Sequence, residues 1–407
     1  MDMTLVSSTR VSRTGTTMTS KTTRPLDLLR LVGGVVLLVL GLVAVVPAPN
    51  TWVFLLSVLV TEGGHWALVA CLPLFAPGWR RTRVSRVGVG LGLLGTLLLL
   101  TPLARAVAVS RALPAALETR FADLRSVTPA ASLRPAPLVA RDLFVGVSSP
   151  TVRVEDHLFA SVGGQELRLH LYRPAEDHPP LPGVVVIHGG SWQSGSREDF
   201  SALNRYLAAR GYVVAAVSYR FSPRFRFPAA RDDVAAAITF LKRNAGRLGL
   251  DASRLALVGR SAGGQLALLV AYTAHDPAIK GVVSYYAPAA LRWGYANPAK
   301  RSIIDSSGIL DAYLGGPPET HGSQYQAASP LSHIGHRTPP TLLINGLRDE
   351  HVSPFHSEFL SDRLIRAHVP HLFLQLPWAT HGCDYVFSGL CGQISTYAVE
   401  RFLSAVL

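Results

Sequence analysis

The pentapeptide Gly259-Arg260-Ser261-Ala262-Gly263 lies between an apolar run, Leu255-Ala256-Leu257-Val258, and a helix-like run that begins at Gln265. Glycines at both ends of such a unit let the backbone pass sharply from strand to helix, and that turn lifts the serine hydroxyl clear of a sheet. The pattern therefore asks for a buried strand ending at Ser261 and a helix starting there. Five residues of this kind also occur by chance in unrelated chains, so their meaning depends on companions elsewhere in the sequence.

From about residue 152 short β-branched runs alternate with helical ones. The expected strands are 152–159, 166–172, 183–187, 213–219, 255–258, 282–286, 341–345 and 372–375, and helical periodicity fills gaps such as 200–210 and 229–245. Such alternation predicts a mostly parallel sheet of about eight strands with helices on both faces, an α/β fold. No helix separates the first two strands, and Gly163-Gly164 offers a hairpin turn between them, so the sheet is expected to begin with an antiparallel edge. Roughly 260 residues suffice for one such domain with a large core.

Three companions of the serine follow strand ends. After the run Val184-Val185-Val186-Ile187 comes His188-Gly189-Gly190-Ser191-Trp192, where paired glycines free a loop whose N–H groups can converge. The amides of Gly189, Gly190, Ser191 and Ala262 are the expected oxyanion donors, each worth on the order of 3 kcal/mol to an acyl-transfer transition state. A serine hydroxyl needs a base and an orienting acid. Gly346-Leu347-Arg348-Asp349-Glu350-His351 follows the seventh expected strand and offers Asp349, ahead of Glu350, while Pro377-Trp378-Ala379-Thr380-His381-Gly382 follows the last and offers His381. Taken singly, Asp349 reads equally as a helix cap and His381 as one loop histidine among 14. The order Ser261, Asp349, His381 after three strand ends gives them one joint reading as nucleophile, acid and base.

On these motifs the stretch from about residue 152 to the C-terminus resembles an α/β-hydrolase of the esterase/lipase group, near the hormone-sensitive-lipase-like and feruloyl-esterase-like carboxylesterases and the related kynurenine formamidases. Ser218-Tyr219-Arg220 with Phe227-Pro228-Ala229-Ala230-Arg231-Asp232-Asp233-Val234 is similar to a segment of that group, as are Tyr313-Leu314-Gly315-Gly316 and Ala328-Ser329-Pro330-Leu331. The resemblance implies the α/β-hydrolase fold, an acyl-enzyme on Ser261, an ester substrate and no cofactor. Two positions depart from it. Ser191-Trp192 stands where lipase-like members carry a third glycine, which preserves backbone donation, and Arg260 stands where relatives carry a small or acidic residue. A cation there either favours an anionic substrate or pairs with a nearby carboxylate, and the structural reading comes first.

Residues 288–336 form an insertion too long for a turn, of the kind that builds a lid or pocket wall. Trp192 beside the oxyanion loop, with Trp293, Tyr295 and Tyr313 of the insertion, is expected to line an acyl pocket, the alternative being aromatic packing of the insertion on the domain. Cys383 and Cys391 are eight apart just beyond His381 and are read either as a disulfide or as two buried thiols. The cysteine spacing matches no metal site.

The N-terminal third differs in kind. The formal charge of +13 would point to an acidic partner, but residues 1–111 carry 11 Lys/Arg against 3 Asp/Glu, a net +8, leaving +5 for the other 296. That basic excess flanks apolar segments, which makes the bilayer the expected partner rather than nucleic acid. Segments 28–46, 52–74 and 87–103 are long enough for roughly 30 Å of hydrocarbon. The resulting division is a basic cytoplasmic tail 1–27, a transmembrane region 28–104, an amphipathic and Pro-rich linker 105–145 that includes Pro129, Pro135 and Pro137, and a catalytic domain 146–407. Arg80, Arg81, Arg83 and Arg86 in the second loop hold that loop and the tail inside, and place the catalytic domain outside. A cleaved signal is the other reading of the first segment. Glu62 and His65 make the second segment the weakest: if it does not span, the topology flips, and if it does, the pair reads first as a helix-to-helix hydrogen bond. The combined expectation is a membrane-anchored serine carboxylic ester hydrolase. Its alternatives are an acyltransferase or deacylase acting on envelope lipid or glycan, and a non-catalytic binding protein.

Overall fold

The computed structural model describes residues 25–124, 133–148, 150–176 and 178–407; Arg10, Arg13, Lys21, Arg24 and Pro129 lie outside them. Eight strands form a single sheet: β1 Val152–Val162, β2 Gln165–Pro174, β3 Leu181–Ile187, β4 Val213–Val217, β5 Leu250–Arg260, β6 Ile279–Tyr285, β7 Thr341–Gly346 and β8 His371–Leu376. Their order is β1-β2-β4-β3-β5-β6-β7-β8. The first two pair as an antiparallel hairpin, β2 runs antiparallel to β4, and every later pairing is parallel.

The alternation within each strand explains two cores. Val185, Ile187, Leu255 and Leu257 point to one face, against helices Ala229–Arg243 and Ala262–Thr273, while Val184, Val186, Ala256 and Val258 point to the other, against Ser201–Ala208 and Leu390–Val406. Strands buried on both faces read as continuous apolar runs, which is why they stand out in the sequence.

Three segments before the sheet are long and apolar enough to cross a membrane, by length and composition. Helix α1 spans Pro25–Val45, α2 spans Thr51–Gly63, and α3 spans Arg83–Phe121. The first and third lie side by side because a Cβ on Gly34 would run into the backbone of Gly88, and one on Gly95 into that of Leu37. Small residues of this kind permit the backbone contact that apolar helices pack by. Buried Arg30 donates to the hydroxyl of Ser85 at 3.1 Å and to the carbonyls of Ala76 and Pro77 at 2.9 and 3.1 Å, and lies 3.5 Å from Asp27.

Two features differ from expectation. The third helix runs on unbroken through Pro102 and Pro114, and its later turns bury Leu113, Leu117 and Phe121 in the sheet's second core, with Phe121 against Phe402 at 5.0 Å. The second segment is interrupted at Gly63-Gly64, giving α2 and then short turns 64–75. Both ends of α2 are fastened to the sheet domain: Thr51 donates to the carbonyls of Ser302 and Ile303, and the Glu62 carboxylate accepts from the Trp378 indole at 3.2 Å and the Cys391 amide at 2.7 Å. His65 bonds the Leu143 carbonyl at 3.0 Å. Glu62 therefore serves the junction with the sheet domain and His65 the contact with the linker, and the expected bond between transmembrane helices is not formed. The described part of the linker is likewise docked, with the Arg134 amide and side chain bonding Glu400 and Gln393 of the C-terminal helix.

Candidate active site

The β5 strand delivers Ser261 to the sheet's C-terminal edge, where its backbone adopts φ 53°, ψ −122°, a strained conformation for a residue with a side chain. Neither flanking glycine has room for a Cβ: one on Gly259 would strike the Gly263 carbonyl, and one on Gly263 the carbonyls of Ile187 and His188. Arg260, which follows the first glycine, does not line the cavity. Arg260 is buried and paired with Asp384 at 2.5 Å, its guanidinium stacked over Phe200 and Tyr285, so it supports the elbow rather than facing a substrate.

Ser261, His381 and Asp349 meet in space. The Ser261 Oγ lies 3.0 Å from His381 Nε2, and His381 Nδ1 lies 2.7 Å from Asp349 Oδ2. An anionic carboxylate at Nδ1 sets that nitrogen as the donor and leaves Nε2 free to accept the serine proton. The second oxygen of Asp349 accepts from the amides of His351 and Val352 at 2.9 and 2.8 Å. Glu350, the other acid weighed, has no bond to His381 and accepts from the Ala48 amide at 2.9 Å.

The oxyanion loop comes from β3. A Cβ on Gly189 would lie 3.4 Å from that of Ser261, so this backbone passes directly beside the nucleophile. Ser191 and Trp192 both take positive φ, 56° and 57°, which curls the chain around the site. The Tyr219 hydroxyl donates to the carbonyls of His188 and Gly189, and His188 stacks on the same ring at 4.3 Å; burial holds its imidazole below the usual range, hence neutral. Ala262 opens the elbow helix, where amides have no intrahelical partner.

A cavity of about 370 Å³ opens over the triad. Trp192 and Trp293 line it, with Leu291, Ile304, Leu310 and Phe355. Tyr313 does not reach it: it lies behind Trp192, stacked at 4.2 Å. Tyr295 does not either, packing on Tyr325 at 5.7 Å. The sulfurs of Cys383 and Cys391 are bonded, with Cα atoms 5.7 Å apart, just past the base. Among the described residues no group of three or more His, Cys, Asp or Glu is arranged to hold a metal ion.

Comparison with known proteins bears on the fold. Residues 169–364 match the BD-FAE family model. Esterase LipC of Mycobacterium tuberculosis is 29% identical over 245 residues, 56% of this chain and 59% of that protein. Ethyl acetate hydrolase of Pseudomonas putida is 39% identical over 132 residues, 32% of this chain and 42% of that protein. The chain thus spans about half the length of these curated relatives. The solved hyperthermophilic esterase of Pyrobaculum calidifontis superposes with a TM-score of 0.56 at 28% identity, over 64% of this chain and 88% of that one. The sheet domain has the α/β-hydrolase fold, and what it is similar to are esterases.

This site has residues that the motifs did not announce. His351 stacks on His381 at 5.1 Å with rings nearly parallel, and on its other side meets Phe54 of α2 at 4.1 Å. Burial pushes His351 down to about 4, so its imidazole places no positive charge beside His381 near neutral pH. Tyr286 lies against His381 at 4.4 Å and donates its hydroxyl to Asp384 at 2.5 Å. Arg348 donates to the carbonyls of Ala44 and Val46 at the end of α1. Both neighbours of Asp349 are therefore held by the N-terminal segment, through contacts some 300 residues apart in sequence that no local pattern encodes.

Proposed function

We propose that this chain is a membrane-anchored serine carboxylic ester hydrolase with its catalytic domain outside the cytoplasm. The observation that carries the chemistry is the relay from Ser261 through His381 to Asp349, at hydrogen-bond distances and beneath an apolar cavity. His381 takes the proton as Ser261 attacks the ester carbon, and Asp349 holds the imidazole in the productive tautomer. The amides of Gly189, Gly190, Ser191 and Ala262 receive the oxyanion. The alcohol leaves with the proton from His381, and water then attacks the acyl-enzyme with the same histidine as base. Trp192 and Trp293 shape the acyl side of the pocket, and the Cys383–Cys391 bridge braces the loop that bears the base.

Serine 261 is the decisive residue. Ser261→Ala is expected to lower kcat on p-nitrophenyl butyrate by at least about a thousandfold with the folded state retained; turnover within tenfold of the parent would refute the assignment.

A further inference from the structure

The cavity and the apolar N-terminal region share a wall. Glu350, His351 and Ile304 line the cavity on one side. On their other side stand Ala48, whose amide bonds Glu350, and Phe54, whose ring lies on His351 and packs with Ile303. One helix, α2, thus separates the catalytic chamber from whatever covers its outer face.

The polarity of α2 identifies that covering. Its polar side chains Ser57, Thr61 and Glu62 point inward and are buried, whereas Trp52, Leu55 and Leu59 point outward and are 81%, 49% and 60% exposed. In water the reverse arrangement is the stable one, because exposed apolar surface costs about 25 cal/mol per Å². An apolar outer face with inward polar groups is matched by hydrocarbon. The face also continues into apolar surface on both sides: Trp66 is exposed beside Phe144, and α1 exposes Val35, Val39 and Leu42. On the chamber side the rim is apolar too, with Phe355 lining the cavity while 52% exposed. A helix with its side chains is roughly 10 Å across, so the ester-cleaving centre stands about one helix diameter from the acyl layer.

Resting on the esterase reading, we propose that the substrate is a lipid ester whose acyl chain lies in the bilayer, and that α2 is the in-plane element seating the chamber on it, with residues 64–75 making the return crossing to Ala76 and Pro77 beside Arg30. The Ser261 Oγ forms a bond to the acyl carbon, the lipid's ester C–O bond breaks, and the lipid alcohol departs with the proton from His381. Water then cleaves the acyl-enzyme, releasing the fatty acid and restoring Ser261.

The full-length protein, reconstituted in phosphatidylcholine vesicles carrying 1,2-dioleoylglycerol, tests this beside soluble p-nitrophenyl butyrate in the same preparation. The parent is expected to release oleate. Leu55→Glu/Leu59→Glu, and the milder Leu55→Ser/Leu59→Ser, are expected to lower oleate release at least tenfold for the glutamates and to a lesser degree for the serines, with butyrate turnover within twofold. The proposal falls if the parent cleaves butyrate but not dioleoylglycerol, if the variants lose both activities equally, or if they lose neither. An occupant of the outer face other than lipid, such as a protein partner, would give the last of these results. Absence of turnover on both substrates removes the esterase reading itself and this proposal with it.

Discussion

His356 illustrates how one side chain ties stability to the site. It is buried at the cavity wall, accepts from the Ala290 amide at 3.2 Å through Nδ1, and meets the edge of Trp293. Burial pushes it down from 6.5 to about 4. Because the unfolded chain binds a proton that the folded one refuses, this stabilising contribution is complete above about pH 6.5 and is lost as the pH falls toward 4. Unfolding free energy is expected to decline across that window, by on the order of 3 kcal/mol from this group. Denaturant titrations at pH 7 and pH 5 check it: His356→Gln should show a shallower decline than the parent, and identical slopes contradict the assignment. Arg260 shows the complementary case. A cation beside the nucleophile reads from sequence first as the partner of a carboxylate, and that carboxylate is Asp384, 124 residues away in a pair that is buried.

At the scale of elements, the acid loop after β7 is held from two directions. Its own backbone amides fix Asp349, while the end of α1 grips Arg348 and the turn into α2 grips Glu350. A hydrogen bond to a charged group is worth about 1.5–3 kcal/mol, enough to set the loop's position. Glu350→Ala should reduce kcat for p-nitrophenyl butyrate by about tenfold with KM little changed, and Glu350→Gln, which keeps an acceptor oxygen for the Ala48 amide, should recover most of it. Steady-state kinetics in which Glu350→Ala matches the parent would remove the positioning role. The elbow, the oxyanion loop and the order of acid and base were legible because each depends on residues adjacent in the chain. The status of α2 was not, since hydropathy counts apolar residues without registering that Ser57, Thr61 and Glu62 share one face turned to a protein surface.

For the molecule as a whole, the contacts separate two ends. Arg30 near the start of α1 bonds Ser85 and the carbonyls of Ala76 and Pro77, which puts the loop bearing Arg80, Arg81, Arg83 and Arg86 beside that start. The far end of α1 meets the acid loop. Basic residues are retained on the cytoplasmic side, so the catalytic face is expected outside. A membrane-impermeant fluorophosphonate should label the parent, and not Ser261→Ala, on intact cells; labelling that requires permeabilisation would reverse the orientation. The long α3 joins the halves physically, since Leu113, Leu117 and Phe121 belong to the same core as Phe402 and Leu403.

Apolar runs broken by glycine turns carry the sheet, its antiparallel edge and the order of Ser261, Asp349 and His381 within the chain's own local pattern, because strand burial and tight turns are short-range requirements. The pairing of Arg260, the burial of Tyr313 behind Trp192, and above all the joining of the N-terminal segment to Asp349 depend on which surfaces come together. Those meetings are decided by packing across hundreds of residues, and only the folded structure places the N-terminal helices against a wall of the cavity over Ser261.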